Sequence, residues 1–513
     1  MTGTTQNQKE NGYTLIPRDR MSALHLVLIA AGALLMLSGC LHSAVWFDES
    51  YSVGMANLGF ADMIKTSVAD VHPPLYYILL WLFTAVTGKS IIDMRIFSAL
   101  CAVALGALGY THIRRDFGAR TGFYFTLLVF LLGSVFIAAS EIRMYTLAPL
   151  LVALMLIYAY RYASSGLSDT RSRVLYIVFA LLAAYTHWYA LAAAVMTALF
   201  FLVCCIEQKR IVRYLVDAAF LLVPYIPGFI IFYEQQARVS TGFWISFEYP
   251  DILFETLGYF SLGTRPADAW LQTAAITLAA VIFLFSLLFL LFGFKAQRRA
   301  FMPAILSLAL PLAVIAISLL LSEKQQIYHV RYAGVLVAPI IFALAFTLAR
   351  VRLRVLRAAF PLLLAAVLVF RLVPLYTERY ASEPNADTGM SDLAEIAGDI
   401  LETDAVISGN INVLGPVMVT AKAGSFYFYN PGWWQVEEAY HAFSPRLVKC
   451  VSYIDWIDDI PGRVWVLGNG GDTAIIDGLQ AAFGEYRLAD SGYAHQTYCD
   501  IQFDWYLYEK VPA

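Results

Sequence analysis

Charge is scarce in this sequence. Asp, Glu, Lys and Arg supply only 14% of the 513 residues, whereas 60% of the residues are hydrophobic. No soluble fold of this size needs so much apolar surface, so the chain is predicted to be an all-α polytopic membrane protein. A signature of nucleic-acid binding is also missing, and nucleic acid is therefore not expected as a partner.

Cysteine is rare as well, with six residues in the whole chain. Four of them fall in apolar runs, where a thiol behaves as a small core side chain. Cys450 and Cys499 lie in the C-terminal segment and could pair if that segment faces an oxidising compartment. Their spacing does not decide between a disulfide and two thiols.

Apolar runs long enough to cross a bilayer recur along the chain. A polar tail, residues 1–21, precedes the first run, and its basic residues favour a cytoplasmic N-terminus. One alternative is a cleaved lipoprotein signal ending at Cys40, but a retained first helix suits the rest of the topology better. These runs, most of them about 20 residues long, predict about eleven transmembrane helices. The predicted spans are residues 21–44, 90–113, 121–140, 142–163, 174–187, 188–206, 213–233, 268–292, 301–321, 333–350 and 355–375.

The apolar run from Leu75 to Thr87 is excluded from this count. It is shorter than the ~20 residues that a helix needs to cross, and counting it would invert every later loop. With this run excluded, nineteen basic residues fall in the predicted cytoplasmic segments and eight in the short outer segments. The positive-inside rule predicts this asymmetry. The run is therefore predicted to be a juxtamembrane helix of the first outer loop, residues 45–89.

The composition changes to that of a soluble domain near residue 377. Four segments are predicted as strands, at residues 404–408, 425–429, 463–467 and 504–508. Helices are expected near residues 391–402 and 472–483. The predicted organisation is a cytoplasmic tail (1–21), a transmembrane domain (22–376) and an extracytoplasmic α/β domain (377–513).

Ionisable and aromatic residues converge at the outer membrane surface in this topology. Asp48 and Glu49 directly follow the first span, and acidic groups at such a depth are expected to do chemistry or to bind a charged partner. Other segments bring further candidates to the same surface: His72, Glu141, Arg143, Tyr145, His187, Tyr189, Arg331 and Tyr332.

The pattern of these residues resembles the GT-C superfamily of glycosyltransferases. More narrowly, it resembles protein O-mannosyltransferases and the aminoarabinose transferases that modify lipid A, the glycosyltransferase family 39 type. The resemblance covers roughly residues 22 to 375. It is carried by Trp46-Phe-Asp48-Glu49, His72-Pro73-Pro74-Leu-Tyr-Tyr77, Arg143-Met-Tyr145, His187-Trp-Tyr189 and Arg331-Tyr332.

The resemblance implies the GT-C fold and a sugar donor linked to a polyprenyl phosphate. It also implies transfer on the outer face of the cell membrane, usually with inversion, to an acceptor glycan, lipid or protein. Asp48 is implied to be the catalytic base. An acceptor hydroxyl has a pKa far above 7, so a carboxylate must take its proton as the sugar is attacked. Since the leaving group is already a phosphate, no general acid is required.

The donor phosphate requires positive charge, and the cations at family-like positions are Arg331, Arg143 and His72. Arginine forks match phosphate oxygens in two-point geometry, and Arg331 is ranked first. Substrate contacts are also expected from Glu49, Glu141, Tyr145, His187, Tyr189 and Tyr332.

Most of these residues also have a structural interpretation. The alternatives are a helix cap at Asp48, an arginine partner at Glu49, a fixed turn at His72, an ion pair with Arg143 at Glu141, a membrane-interface belt at His187 and Tyr189, and a membrane anchor at Arg331.

A cofactor is not expected. No Asp-x-Asp motif or His/Cys cluster is present, and two carboxylates of the first loop with Glu141 could hold a divalent ion only if the fold brings them together. Catalysis is therefore expected to be metal-independent. The rival functions are a multispan transporter or lipid flippase and a non-catalytic scaffold. Mid-span segments almost free of charge disfavour transport, and a scaffold leaves the Asp48-Glu49 pair unexplained.

Overall fold

Helices form the chain as far as residue 378, and every described strand follows that point. The computed structural model describes residues 20–512, with gaps at residues 43, 240–244, 263–268, 352–353, 379–389, 392, 431–436, 459, 461, 469–472 and 497. Most of the predicted N-terminal tail, residues 1–19, lies outside the described residues.

Nineteen α-helices are described in the first part of the chain. They are α1 (Arg20–Ser38), α2 (Phe47–Asn57), α3 (Phe60–Ala69), α4 (Leu75–Thr87), α5 (Ile91–Leu108), α6 (Arg114–Phe117), α7 (Ala119–Leu131), α8 (Gly133–Ala139), α9 (Leu147–Ser164), α10 (Thr170–Ala184), α11 (Trp188–Glu207), α12 (Ile211–Leu222), α13 (Ile226–Val239), α14 (Asp251–Leu262), α15 (Ala269–Ala296), α16 (Arg298–Ser322), α17 (Val330–Ala333), α18 (Val337–Arg350) and α19 (Arg354–Glu378).

Six described helical stretches are long and apolar enough to cross a membrane, and the number rises to eight if each of two bent pairs forms one span. The bent pairs are α7 with α8, which bend by 63°, and α12 with α13, which bend by 59°. Helices α10, α15 and α19 coincide with three further predicted spans but do not pass the same test over their described residues. The chain is a multi-pass membrane protein, and the count of eleven stays a prediction.

The first loop folds into α2, α3 and α4. Trp46 precedes α2 in an extended conformation, and Asp48 and Glu49 occupy the first turn, where the helix dipole favours negative charge. Helix α4 has 13 residues. At roughly 1.5 Å per residue it is about 20 Å long, whereas the hydrocarbon core of a bilayer is ~30 Å thick. This length agrees with the prediction that Leu75–Thr87 does not cross.

The C-terminal segment folds around a mixed sheet of seven described strands. Its elements are β1 (Met390–Ser391), α20 (Leu393–Asp399), β2 (Asp404–Ser408), α21 (Ile411–Thr420), β3 (Ser425–Tyr429), α22 (Glu437–Tyr440), β4 (Leu447–Val451), β5 (Arg463–Gly468), α23 (Thr473–Phe483), β6 (Tyr486–Gln496) and β7 (Ile501–Lys510). The strand order is β1-β6-β7-β5-β2-β3-β4. Strands β5, β2, β3 and β4 are parallel, and β7 pairs antiparallel with β5 and β6.

The predicted all-α membrane part with a C-terminal α/β domain is confirmed. Two of the predicted strands match β2 and β3 from end to end, and the other two fall on β5 and β7. Strands β1, β4 and β6 and helices α21 and α22 were not predicted. No disulfide bond joins Cys450 in β4 to Cys499, which follows β6.

The α/β domain packs directly on α2. A Cβ atom at Gly54 would lie 2.4 Å from the carbonyl oxygen of Ala442, and one at Gly415 in α21 would lie 2.7 Å from Oγ of Ser50. Larger side chains at these two positions would therefore push the domain away from the helix that carries Asp48. The first loop and the α/β domain form one packed unit.

Candidate active site

Asp48 faces two arginines that come from distant parts of the chain. Its carboxylate accepts a hydrogen bond from Nη1 of Arg331 at 3.2 Å and lies 3.8 Å from Nε of Arg143. The Asp48 side chain keeps 21% of its surface exposed, so a substrate can reach it. Trp46 rather than Asp48 precedes the helix, and it makes no side-chain cap bond. The helix-cap interpretation of Asp48 therefore does not hold.

Arg331 is held by an aromatic ring and by a short helix. Its guanidinium carbon lies 4.6 Å from the centre of the Trp46 ring and 6.0 Å from the Tyr145 ring, within the range of cation–π attraction. The Nδ1 atom of His329 accepts from the Arg331 backbone N–H at 3.2 Å and so caps α17. The side chain is thus directed at Asp48, with 20% of its surface exposed, and is not a membrane anchor.

Arg143 lies in the turn between α8 and α9, and its side chain is only 6% exposed. Its Nη1 donates to the hydroxyl oxygen of Tyr77 at 3.2 Å. The Tyr77 hydroxyl in turn donates to Oδ2 of Asp70 at 3.1 Å. Asp70 directly follows α3, and burial raises the pKa of its carboxyl group. The site therefore contains a further acidic side chain, Asp70, which sequence reasoning missed although it lies two residues before His72.

Glu49 has a different environment from its neighbour Asp48. It is fully buried and accepts from Nε and Nη2 of Arg95 at 2.7 and 2.9 Å. The Tyr498 hydroxyl donates to the same carboxylate at 3.2 Å, as does the backbone N–H of Ile142 at 3.2 Å. Because a substrate cannot reach this carboxylate, the expected substrate contact of Glu49 is wrong. Glu49 holds an arginine, which was the structural alternative.

The remaining aromatic and histidine candidates form one buried cluster, and its Tyr145 ring lies next to Arg331. The His72 ring lies 5.3 Å from His187 and 5.6 Å from Tyr332, measured between ring centres. Tyr145 is 5.9 Å from His187, and Tyr189 is 6.1 Å from Tyr332. His187 and Tyr189 are buried, so they do not form a membrane-interface belt.

His72 was expected to be one of the cations at the phosphate, and its ring is buried. Burial lowers its pKa well below the usual range, and the nearby charges of Arg143 and Arg331 lower it further. Burial therefore favours the neutral imidazole, which can still donate a hydrogen bond to a phosphate oxygen, and the expected phosphate contact of His72 stays a prediction. The His72 ring packs against His187 and Tyr332 in the cluster.

Glu141 is brought to the same region as the other candidates. It is 5% exposed, and its carbonyl oxygen accepts from the Arg143 backbone N–H at 2.9 Å in the turn after α8. It also lies close enough to Arg331 to interact with it electrostatically. The structure thus gathers every predicted site residue around the first loop, with Asp48 and Arg331 at the accessible surface.

No group of three or more His, Cys, Asp or Glu side chains with the geometry to hold a metal ion occurs among the described residues. The expectation of metal-independent catalysis stays a prediction.

Comparison with protein families identifies a match within the membrane part. The family model for dolichyl-phosphate-mannose-protein mannosyltransferases matches residues 71–230. This segment includes His72, Arg143 and His187 but neither Asp48 nor Arg331. No curated protein matches the chain.

Two solved structures share the fold over nearly their whole length. ArnT from Cupriavidus metallidurans in the apo state has a TM-score of 0.58 and 11% identity, covering 95% of this chain and 98% of that one. The same protein bound to undecaprenyl phosphate has a TM-score of 0.52 and 14% identity, with 94% and 97% covered. At such low identity, the likeness establishes the fold.

The shared fold and the family match over residues 71–230 agree with the resemblance to GT-C glycosyltransferases. The partial family match agrees with the enzymatic interpretation rather than with a transporter, a flippase or a scaffold. The matched segment is less than half of the chain, so the donor, the acceptor and the roles of individual residues are matters for proposal.

Proposed function

We propose that this protein transfers a glycosyl unit from a polyprenyl-phosphate donor to an acceptor hydroxyl or amine on the extracytoplasmic face of the cell membrane. Asp48 is the catalytic base, and the anomeric centre is inverted. Residues 22–376 form the catalytic transmembrane domain, and residues 377–513 form an extracytoplasmic α/β domain. The excess of basic residues in the alternate loops supports a cytoplasmic N-terminus.

The observation that carries this proposal is the partly exposed Asp48 carboxylate between two arginines. In the proposed step, Asp48 takes the proton from the acceptor as the acceptor atom bonds to the anomeric carbon. The bond from that carbon to the phosphate oxygen breaks, and the electron pair leaves with polyprenyl phosphate. A carboxylate is the natural group for this proton transfer, and attack from the side opposite the phosphate gives inversion.

Arg331 and Arg143 are suited to the negative charge of the leaving phosphate. Both guanidinium groups already contact Asp48, so a phosphate bound beside Asp48 would share their donors. Charge that develops in a largely buried site is stabilised more strongly than in water. Undecaprenyl phosphate bound to the ArnT of similar fold and the family description of the matched segment support the proposed donor class.

The direct test incubates the purified protein with a panel of radiolabelled polyprenyl-phosphate sugars and candidate acceptors. The expected result is release of polyprenyl phosphate that depends on the acceptor, with the label recovered on that acceptor in the inverted configuration. Release without an acceptor, or no release with any member of the panel, would count against the proposal. Movement of intact donor across liposome membranes would favour a flippase instead.

Replacing Arg331 by lysine should weaken donor binding. Lysine keeps the charge but loses the planar fork that matches a phosphate. Loss of a charged hydrogen bond costs about 1.5–3 kcal/mol, so the donor KM is expected to rise about tenfold or more. Steady-state kinetics with varied donor would measure this change.

Arg487→Lys is the matched control because Arg487 pairs with Glu509 at the exposed edge of the α/β domain. The control should keep the wild-type KM. An unchanged donor KM in Arg331→Lys would remove Arg331 from the phosphate site.

A further inference from the structure

The segment that carries Asp70 is fixed from outside by side chains of two other helices. Residues 67–72 lie at the end of α3 and in the turn that follows it. Hydrogen bonds to backbone carbonyls in this segment come from Gln235 to Ser67 and His72 at 3.0 Å each, from Arg238 to Ala69 at 2.5 Å and from Trp188 to Val71 at 2.8 Å. An irregular segment held by so many side chains has a defined position, as active-site support requires.

Asp70 is the carboxylate of this segment, and Tyr77 links it to the site. Tyr77 has a single hydroxyl proton, which it donates to Asp70. The lone pairs of the same oxygen are therefore left for Nη1 of Arg143. The Nε edge of the Arg143 guanidinium lies 3.8 Å from Asp48. A chain of contacts thus leads from Asp70 through Tyr77 and Arg143 to the proposed base.

We propose that Asp70 is a positioning residue that acts through Tyr77 to hold the Arg143 guanidinium beside Asp48. This inference rests on the proposed function and extends it to a residue that the sequence motifs did not single out. Asp70 fixes the direction of the Tyr77 hydroxyl, and Tyr77 fixes one edge of the guanidinium. Arg143 can then meet the charge that develops on the phosphate without reorienting, which is the basis of electrostatic preorganisation.

The packing around Tyr77 indicates that Asp70 acts through the Tyr77 hydroxyl group. Tyr51 is buried, and its ring centre lies 6.1 Å from that of Tyr77. It contacts Phe443 of the α/β domain on its other side, at 6.0 Å between ring centres. Tyr77 is itself fully buried. The Tyr77 ring is thus held by packing. The direction of its O–H bond is the remaining degree of freedom, and the hydrogen bond to Asp70 fixes it.

The test is a double-mutant cycle of Asp70→Ala and Tyr77→Phe, measured in the full-length protein with the donor and acceptor found in the panel assay. Each single variant should lower kcat by about 10- to 100-fold, the usual effect of losing a partner that orients an active-site group. The donor KM should change less than kcat. The double variant should be much closer to Tyr77→Phe alone than to the product of the two single losses. The Tyr77 hydroxyl makes the hydrogen bonds that join Asp70 to Arg143, and without it only the direct charge interaction of the two remains.

Asp62→Ala is the matched control because Asp62 is an exposed carboxylate on α3, the helix that Asp70 directly follows. It should behave as the wild type. A double variant whose loss is the product of the two single losses would overturn the inference, because Asp70 would then act independently of Tyr77. Unchanged kcat in either single variant would overturn it too.

Folding is controlled by measuring the thermal unfolding midpoint of each variant. Tyr77→Phe keeps the buried ring and removes both hydrogen bonds of the hydroxyl group. Its kcat therefore tests the contacts from Asp70 to Arg143 even if Asp70→Ala unfolds. If the activity of each variant falls only in proportion to its fraction of folded protein, the inference is wrong. An inactive wild-type protein contradicts the proposed function, whereas an active wild type with fully active variants contradicts only the role of Asp70.

Discussion

Asp48→Asn should abolish glycosyl transfer and leave the protein folded. The substitution keeps the shape of the side chain but removes the group that accepts the proton. General-base catalysis contributes about 10²–10⁴ in rate, so kcat should fall by about three orders of magnitude. Because asparagine also releases Arg331 and Arg143 from a negative partner, the donor should bind at least as tightly as in the wild type.

Steady-state kinetics and direct donor binding would measure these two effects separately. Asp62→Asn is the matched control, since Asp62 is an exposed carboxylate of the neighbouring helix α3. A fall of less than tenfold in kcat would remove Asp48 as the base. Lost donor binding with unchanged kcat would instead assign Asp48 to the donor site.

The convergence of the site residues could be predicted from sequence because it follows from topology alone. The short length of Leu75–Thr87 and the asymmetry of basic residues predict that residues 48 and 331 lie on one side of the membrane. The contact between Asp48 and Arg331 agrees with that placement. Burial could not be predicted in this way, because it depends on which helices pack against the loop.

Asp48 and Glu49 show where the motif alone was misleading. Consecutive residues of a helix point about 100° apart around its axis, so adjacent carboxylates can face different environments. Asp48 faces the accessible surface, whereas Glu49 faces Arg95 in the core. The sequence left an arginine partner open for Glu49 but did not identify it, and the partner is Arg95, 46 residues later.

The missed elements of the α/β domain also have a physical explanation. Strand β6 is largely polar and partly exposed, so it lacks the apolar pattern that identified β2 and β5. Helix α21 contains Gly415 and Pro416 with several β-branched residues, a composition that disfavours helix in isolation. Packing of α21 against α2, with Gly415 facing Ser50, overrides that local preference.

Arg95→Met should unfold the first loop and thereby the site. Arg95 is fully buried, and its guanidinium donates to both oxygens of Glu49 and to the carbonyl oxygens of His42 and Ala44. Removing one partner of such a pair leaves a buried charge without compensation, which costs about 3–5 kcal/mol. The thermal unfolding midpoint in detergent should fall sharply, and transfer should be lost with it.

The effect of Arg95→Met differs from that of Asp48→Asn because it acts on the fold and not on the chemistry. Glu49→Gln should also destabilise the protein, and the double variant should lose less than the sum of the two single losses, since neither charge is then left alone. Arg487→Met, at an exposed ion pair, is the control and should change stability little. An Arg95→Met protein with the wild-type unfolding midpoint would show that the buried pair does not hold the loop.

Loss of the pair should also loosen the α/β domain from α2, because the Glu49 carboxylate bonds both to Arg95 and to Tyr498 of that domain. Limited proteolysis would detect this loosening.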